Sequence, residues 1–121
     1  QGGFRSPRRK AALIPRPEGP PMLIVAGTIS FDPSKTEEAR AAVSKMMAAT
    51  HEEAGNIEYV FSIDMTDPGV MRLFEVWESQ DALDAHFVAP HMEEFGVAVR
   101  ELGVTGRDLL KYQVSSTGPV R

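Results

Sequence analysis

Two of the chain's three histidines fall in one short string with its single tryptophan, Glu75-Val-Trp-Glu-Ser-Gln-Asp-Ala-Leu-Asp-Ala-His-Phe-Val-Ala-Pro-His91. Imidazole titrates near neutrality, so His86 and His91 are candidate proton acceptors at physiological pH. Trp77 carries an indole N–H that needs an acceptor wherever it is buried. Glu75, two residues earlier, shares its strand face and supplies a carboxylate. Proton transfer is the chemistry open to such a set. Nucleophilic thiols, disulfide frameworks and thiolate zinc sites are excluded, because the 121 residues contain no cysteine. The sequence has no Gly-rich nucleotide loop and no two-His-one-carboxylate set at helical spacing, so no metal ligand is assigned.

The elements that must position this string are legible from periodicity. Met22 to Phe31 is a β-rich run stopped by Asp32-Pro33. Ser34-Lys-Thr-Glu37 has the form of a capping box, and Ala39, Val43, Met46, Met47 and Thr50 recur at helical spacing until Gly55, with the two methionines as core filler. His51, just before Glu52 and Glu53, is expected to be a solvated cation at the helix end. Ile57, Tyr59, Phe61, Ile63 and Met65 alternate as one face of a strand, Thr66-Asp-Pro-Gly69 turns, and Val70 to Glu78 returns with Met71, Leu73, Glu75 and Trp77 on one face. Glu75 is expected either to pair with Arg72 or Lys111 across the sheet or to orient a histidine or the indole. Ser79 caps a helix from Asp81 to about Val88, in which His86 lies beside Ala82, Leu83 and Phe87 and points inward. Pro90 starts another helix with Met92, Phe95, Val99 and Leu102 as its buried stripe, and Arg107 to Val114 is the last strand.

The order is βαββαβ, an α+β fold of the ferredoxin-like kind with an antiparallel sheet and helices on one face. One helix layer cannot cover Val60, Phe74 and Val76 on the opposite face, so a homodimer packed sheet to sheet is expected.

The net charge of −4 is divided unevenly. Residues 1–21 hold five basic groups against Glu18 and five of the nine prolines. Residues 22–121 hold eight basic groups against sixteen acidic ones, a balance of −8. The organisation is a basic Pro-rich arm over 1–21, whose Gln1-Gly2 matches the end of a protease-cleavage scar, one folded domain over 22–115, and a polar tail over 116–121. An acidic body argues against nucleic-acid binding, no apolar run is long enough to span a bilayer, and a cytoplasmic location is expected.

Gly55-Asn-Ile-Glu-Tyr59, Leu73-Phe-Glu-Val-Trp-Glu-Ser79, Ala85-His86 and Pro90-His91-Met92 together resemble the antibiotic biosynthesis monooxygenase domain family, which includes small quinol monooxygenases. The likeness covers about residues 22–115. It implies a dimeric α+β barrel with a pocket between sheet and helices in each subunit, and an enzyme that oxidises a quinol or polyphenol with O₂, without flavin or metal. In that reading His86 is the first choice of base and His91 the second, and Trp77 is a pocket wall and donor. Glu75 orients a neighbour and borders the substrate, while Tyr59, Phe61, Met71, Leu73, Leu83 and Thr28 line the pocket. Haem-degrading relatives carry an asparagine on the first strand where this chain has Ala26-Gly27-Thr28. Haem is therefore disfavoured as a cofactor, although Trp77 and His86 keep a compatible spacing. Anthrone-oxidising relatives have an asparagine and a tyrosine where this chain has Leu73 and Leu83, which implies a more apolar pocket. The alternatives are a protein that binds or degrades haem or another hydrophobic ligand, an isomerase working by proton transfer alone, and a structural partner protein.

Overall fold

The computed structural model describes residues 22–121; the basic arm over 1–21 lies outside the described residues. The elements are β1 (Met22–Ser30), a 3₁₀ turn (Pro33–Lys35), α1 (Thr36–His51), β2 (Asn56–Asp64), β3 (Asp67–Trp77), α2 (Gln80–Phe87), α3 (Pro90–Val99) and β4 (Gly106–Val114). They follow the expected βαββαβ order with the second helix broken at Val88-Ala89. The sheet is antiparallel in the order β2-β3-β1-β4, so β1 and β3 are central and β4 is an edge.

Register decides which residues look at the helices. Leu23, Val25 and Ile29 of β1 pair with Trp77, Glu75 and Met71 of β3, while Tyr59 and Phe61 of β2 pair with Glu75 and Leu73. These residues form the inner face and build the core with Ala39 and Met46 of α1, Leu83 of α2 and Leu102. The outer face carries Phe74, Leu110 and Tyr112, which are 40%, 58% and 49% exposed. Gly27 of β1 has φ 153°, and a Cβ there would meet the backbone oxygen of Asp108 at 1.9 Å, so only glycine lets β4 approach this closely.

Two local expectations are corrected. The capping box at Ser34 does not form: Asp32 accepts from the Ser34 amide at 2.9 Å and opens the 3₁₀ turn, and α1 begins only at Thr36. An aspartate followed by Pro33 is the stronger start signal, since proline fits the first helical position. The turn between β2 and β3 is shorter than Thr66 to Gly69: Asp64 pairs with Asp67, and Asp64 holds the loop by accepting from both the amide and the hydroxyl of Thr66. Ser79 caps α2 as expected, accepting from the Ala82 amide at 3.1 Å. Among the described residues no helix is long and apolar enough to cross a membrane.

Candidate functional site

A cavity of about 370 Å³ lies between the inner face of the sheet and helices α2 and α3, a size suited to a small organic ligand. Val25, Tyr59, Phe61, Leu73, Leu83 and Phe95 supply apolar wall, and His86 and Glu75 supply its buried polar groups. Five positions singled out from the sequence as lining or orienting residues (Tyr59, Phe61, Leu73, Glu75, Leu83) therefore converge there with His86, because period 2 on β2 and β3 and the apolar stripe of α2 point at the same space.

His86 is 1% exposed. Its ring lies 4.8 Å from the Trp77 ring and 5.4 Å, edge on, from Tyr59. Nδ1 is 2.8 Å from Glu53 Oε2, and the same oxygen lies 2.5 Å from His91 Nε2. An ionised carboxylate can only accept, so facing it both nitrogens carry their protons. In the neutral ring Nε2 is then the acceptor nitrogen, and it has no hydrogen-bond partner among the described residues. This is a histidine held by a carboxylate in one tautomer, the arrangement that makes imidazole a directed base.

Trp77 is fully buried and its indole donates to Glu75 Oε1 at 2.7 Å. It backs His86 and does not reach the cavity, so the role of wall and donor to a ligand is corrected: its one N–H is already used. Glu75 takes that indole and neither of the two expected cations. Arg72 donates to Asp64 at 2.9 Å and Lys111 to Gln80 Oε1 at 2.7 Å. Burial pushes the Glu75 carboxyl up to about 7, opposed by the indole hydrogen bond and reinforced by the negative charge of Glu53. Burial, then the charges of Glu75 and Glu53, pushes the Tyr59 phenol well above its ordinary value, so it stays protonated.

Other positions fall away from the cavity. His91 lines a separate small hollow with Lys45, Glu94 and Ala98 and meets the site through Glu53 and through its ring, 6.1 Å from that of His86. Met71 borders another hollow against α1. Thr28 is on the outer side of β1, opposite Arg72 and Asp108, because its neighbours Gly27 and Ile29 hold the inner register. His51 is half-buried and not solvated as expected, with Nε2 3.0 Å from the Tyr59 carbonyl.

Glu53 is the residue that the sequence did not announce. It sits in the turn after α1, 33 and 38 residues from its two histidines, and no local pattern links them. The donor atoms of Glu53, His86 and His91 all lie within 4.8 Å of one another, a two-His-one-carboxylate set of the type that can hold a first-row divalent metal. It arises from three separate elements, where helical spacing had shown none.

The model of the antibiotic biosynthesis monooxygenase family matches residues 22–97. The chain belongs to this family. The match takes in β1 through most of α3, and thus Glu53, Tyr59, Glu75, Trp77, His86 and His91. An uncharacterised protein of Synechocystis is 33% identical over 95 residues, or 78% of this chain, and the chain spans about 65% of that relative's length. Solved structures with this fold include a candidate antibiotic biosynthesis monooxygenase from Deinococcus radiodurans (TM-score 0.76, 24% identity, 82% of this chain and 98% of that one). A conserved protein from Methanosarcina mazei is also similar (TM-score 0.73, 20% identity, 78% and 93%). Membership of the antibiotic biosynthesis monooxygenase family agrees with the βαββαβ order, but a fold of this kind hosts several chemistries, so the reaction must be argued from the site.

Proposed function

We propose that this protein is a cofactor-independent monooxygenase that oxidises a quinol or polyphenol with O₂. The observation that carries the reading is a histidine fixed by Glu53 on one nitrogen and free on the other, at the wall of an apolar cavity. His86 Nε2 takes the phenolic proton. The electron-rich phenolate passes one electron to O₂, and the two radicals combine to a hydroperoxide at ring carbon. The imidazolium returns its proton to the peroxide, and loss of water, which breaks the O–O bond and carries off the outer oxygen with the ring-carbon hydrogen, leaves the quinone with one oxygen atom from O₂. The protein contributes the base, the orientation and an apolar site. As in the sequence reading, the active unit is a homodimer joined by the outer sheet faces.

Oxygen uptake on a panel of quinols and hydroxyarenes tests this, with one O₂ consumed per quinone expected. Equal turnover without O₂ would sink the oxygenase reading and favour an isomerase. The Glu53, His86 and His91 cluster supports a second reading, in which a divalent metal bound there takes part. Dialysis against a chelator separates the two: activity independent of metal content is expected, and activity restored only by added metal would favour the second.

A further inference from the structure

The inner face of an edge strand over a core is ordinarily apolar, yet on β4 it reads Arg107, Leu109, Lys111, and all three residues border the cavity. Among the described residues neither Arg107 nor Lys111 forms an ion pair. Arg40, Lys45 and Arg72 each form an ion pair with Glu37, Glu94 and Asp64. Among the described residues Arg107 has no such partner, and Lys111 donates only to the neutral amide oxygen of Gln80 at 2.7 Å. Gln80 is held in turn by donating to Asp84 at 2.8 Å, so the Lys111 ammonium is fixed between β4 and α2 beside the cavity. Both cations are exposed, whereas His86 and Glu75 are buried. Residues 22–121 hold sixteen acidic groups against eight basic ones, so two cations without ion pairs at the edge of one cavity give an otherwise acidic body a local site that favours an anionic ligand.

We infer that the cavity takes an aromatic acid: a ring seated between Phe61, Leu73 and Phe95, with an anionic substituent, of the carboxylate kind, on Arg107 and Lys111. The placing of a phenolic hydroxyl at the other end, toward His86, rests on the function proposed above; the preference for an anion does not.

Two fluorescent probes with the same ring system test the inference without any turnover. 8-Anilino-1-naphthalenesulfonate carries an anion, and N-phenyl-1-naphthylamine is uncharged. In Arg107→Gln/Lys111→Gln, affinity for the sulfonate is expected to fall about tenfold while the neutral probe stays within about twofold, and only the sulfonate is expected to weaken with added salt. Arg107→Lys/Lys111→Arg should retain sulfonate binding. Gly96→Phe serves as the site control: Gly96 borders the cavity and has nothing within 4 Å of a built Cβ, so the ring should fill the space and abolish both probes. Loss of both probes together in the charge variant, loss of neither, or binding that survives Gly96→Phe overturns the inference. If the neutral probe binds in the cavity and charge makes no difference, the aromatic acid is wrong while the quinol reading stands. If neither probe binds the native protein, both readings fall.

Discussion

Glu53 determines which nitrogen of His86 is available, and that contact makes the site more than a buried histidine. If His86 is the base, His86→Ala should lower kcat by roughly 10² to 10⁴ on a quinol that the native protein turns over. Glu53→Gln should lower it at least about tenfold and move the acid limb of the pH profile, a change that loss of packing alone would not produce. An unaltered profile in Glu53→Gln would reduce Glu53 to a structural role. Glu75 offers a thermodynamic test. Its carboxyl rises from 4.5 to about 7 on folding, so between these values the folded chain binds a proton that the unfolded chain has released. Stability from this group is therefore complete below pH 4.5 and is lost as pH rises through about 7, an effect of about 3 kcal/mol. Glu75→Gln keeps an acceptor for the indole and has no titration. Urea unfolding should show its stability gaining on the native protein from pH 4.5 to 7 and then levelling; a constant difference would mean the carboxyl is not raised. Residues on a periodic face, such as Tyr59, Phe61, Leu73, Leu83 and His86, could be read from sequence because period and burial go together. Glu53 could not, since its partners arrive from 33 and 38 residues away through the packing of α1 against α3. The fate of the Trp77 N–H was open for a related reason: Glu75 faces both the indole and the cavity, and only burial decides that the hydrogen bond goes inward.

At the scale of elements, strand and helix order followed from alternation and helical spacing, while the ends of elements depended on single turn residues. The cap expected at Ser34 is replaced by Asp32, which opens a 3₁₀ turn with Pro33 in its first position and leaves α1 to begin at Thr36, and the β2–β3 loop tightened because Asp64 satisfies the Thr66 amide. β4 was recognisable as a strand, but its cations looked like an ordinary solvated edge until the register with β1 placed Arg107 and Lys111 on the inner side. That placement depends on Gly27, where the two backbones approach too closely for a side chain. Gly27→Ala should cost at least about 2 kcal/mol in denaturant unfolding, because the clash is with main chain that cannot rotate away. Hydrogen exchange should show protection lost first along β4, with β2 and β3 retained. Uniform loss of protection would mean that β4 is no separate unit, and no loss of stability would mean that the strands can part at no cost.

For the whole molecule, the asymmetry of the sheet is the outstanding physical problem. Its inner face is packed by three helices over the core, but Phe74, Leu110 and Tyr112 remain 40%, 58% and 49% exposed on the other. Four strands of about nine residues present a surface of roughly 30 Å by 19 Å. That is somewhat less than the roughly 800 Å² per partner of a standard interface, so a stable pair must use nearly the whole face and some of its rim. A two-fold pairing of identical sheets meets that demand, since each copy offers the same apolar surface that the other must cover. The chain of 13.3 kDa should then sediment at twice its mass. Phe74→Glu with Tyr112→Glu, neither of which borders the cavity, would bring four carboxylates into the dimer interface and should return the protein to a monomer. A predominantly monomeric native protein at micromolar concentration would refute the pairing. Leu110 also borders the cavity, from the edge strand that carries Arg107 and Lys111. Pairing across the outer face would hold β4 in place from behind, so the monomeric variant is expected to bind the anionic probe more weakly even though both cations remain. If the affinity of the monomer equals that of the dimer, each subunit builds its cavity alone and the outer face serves assembly only.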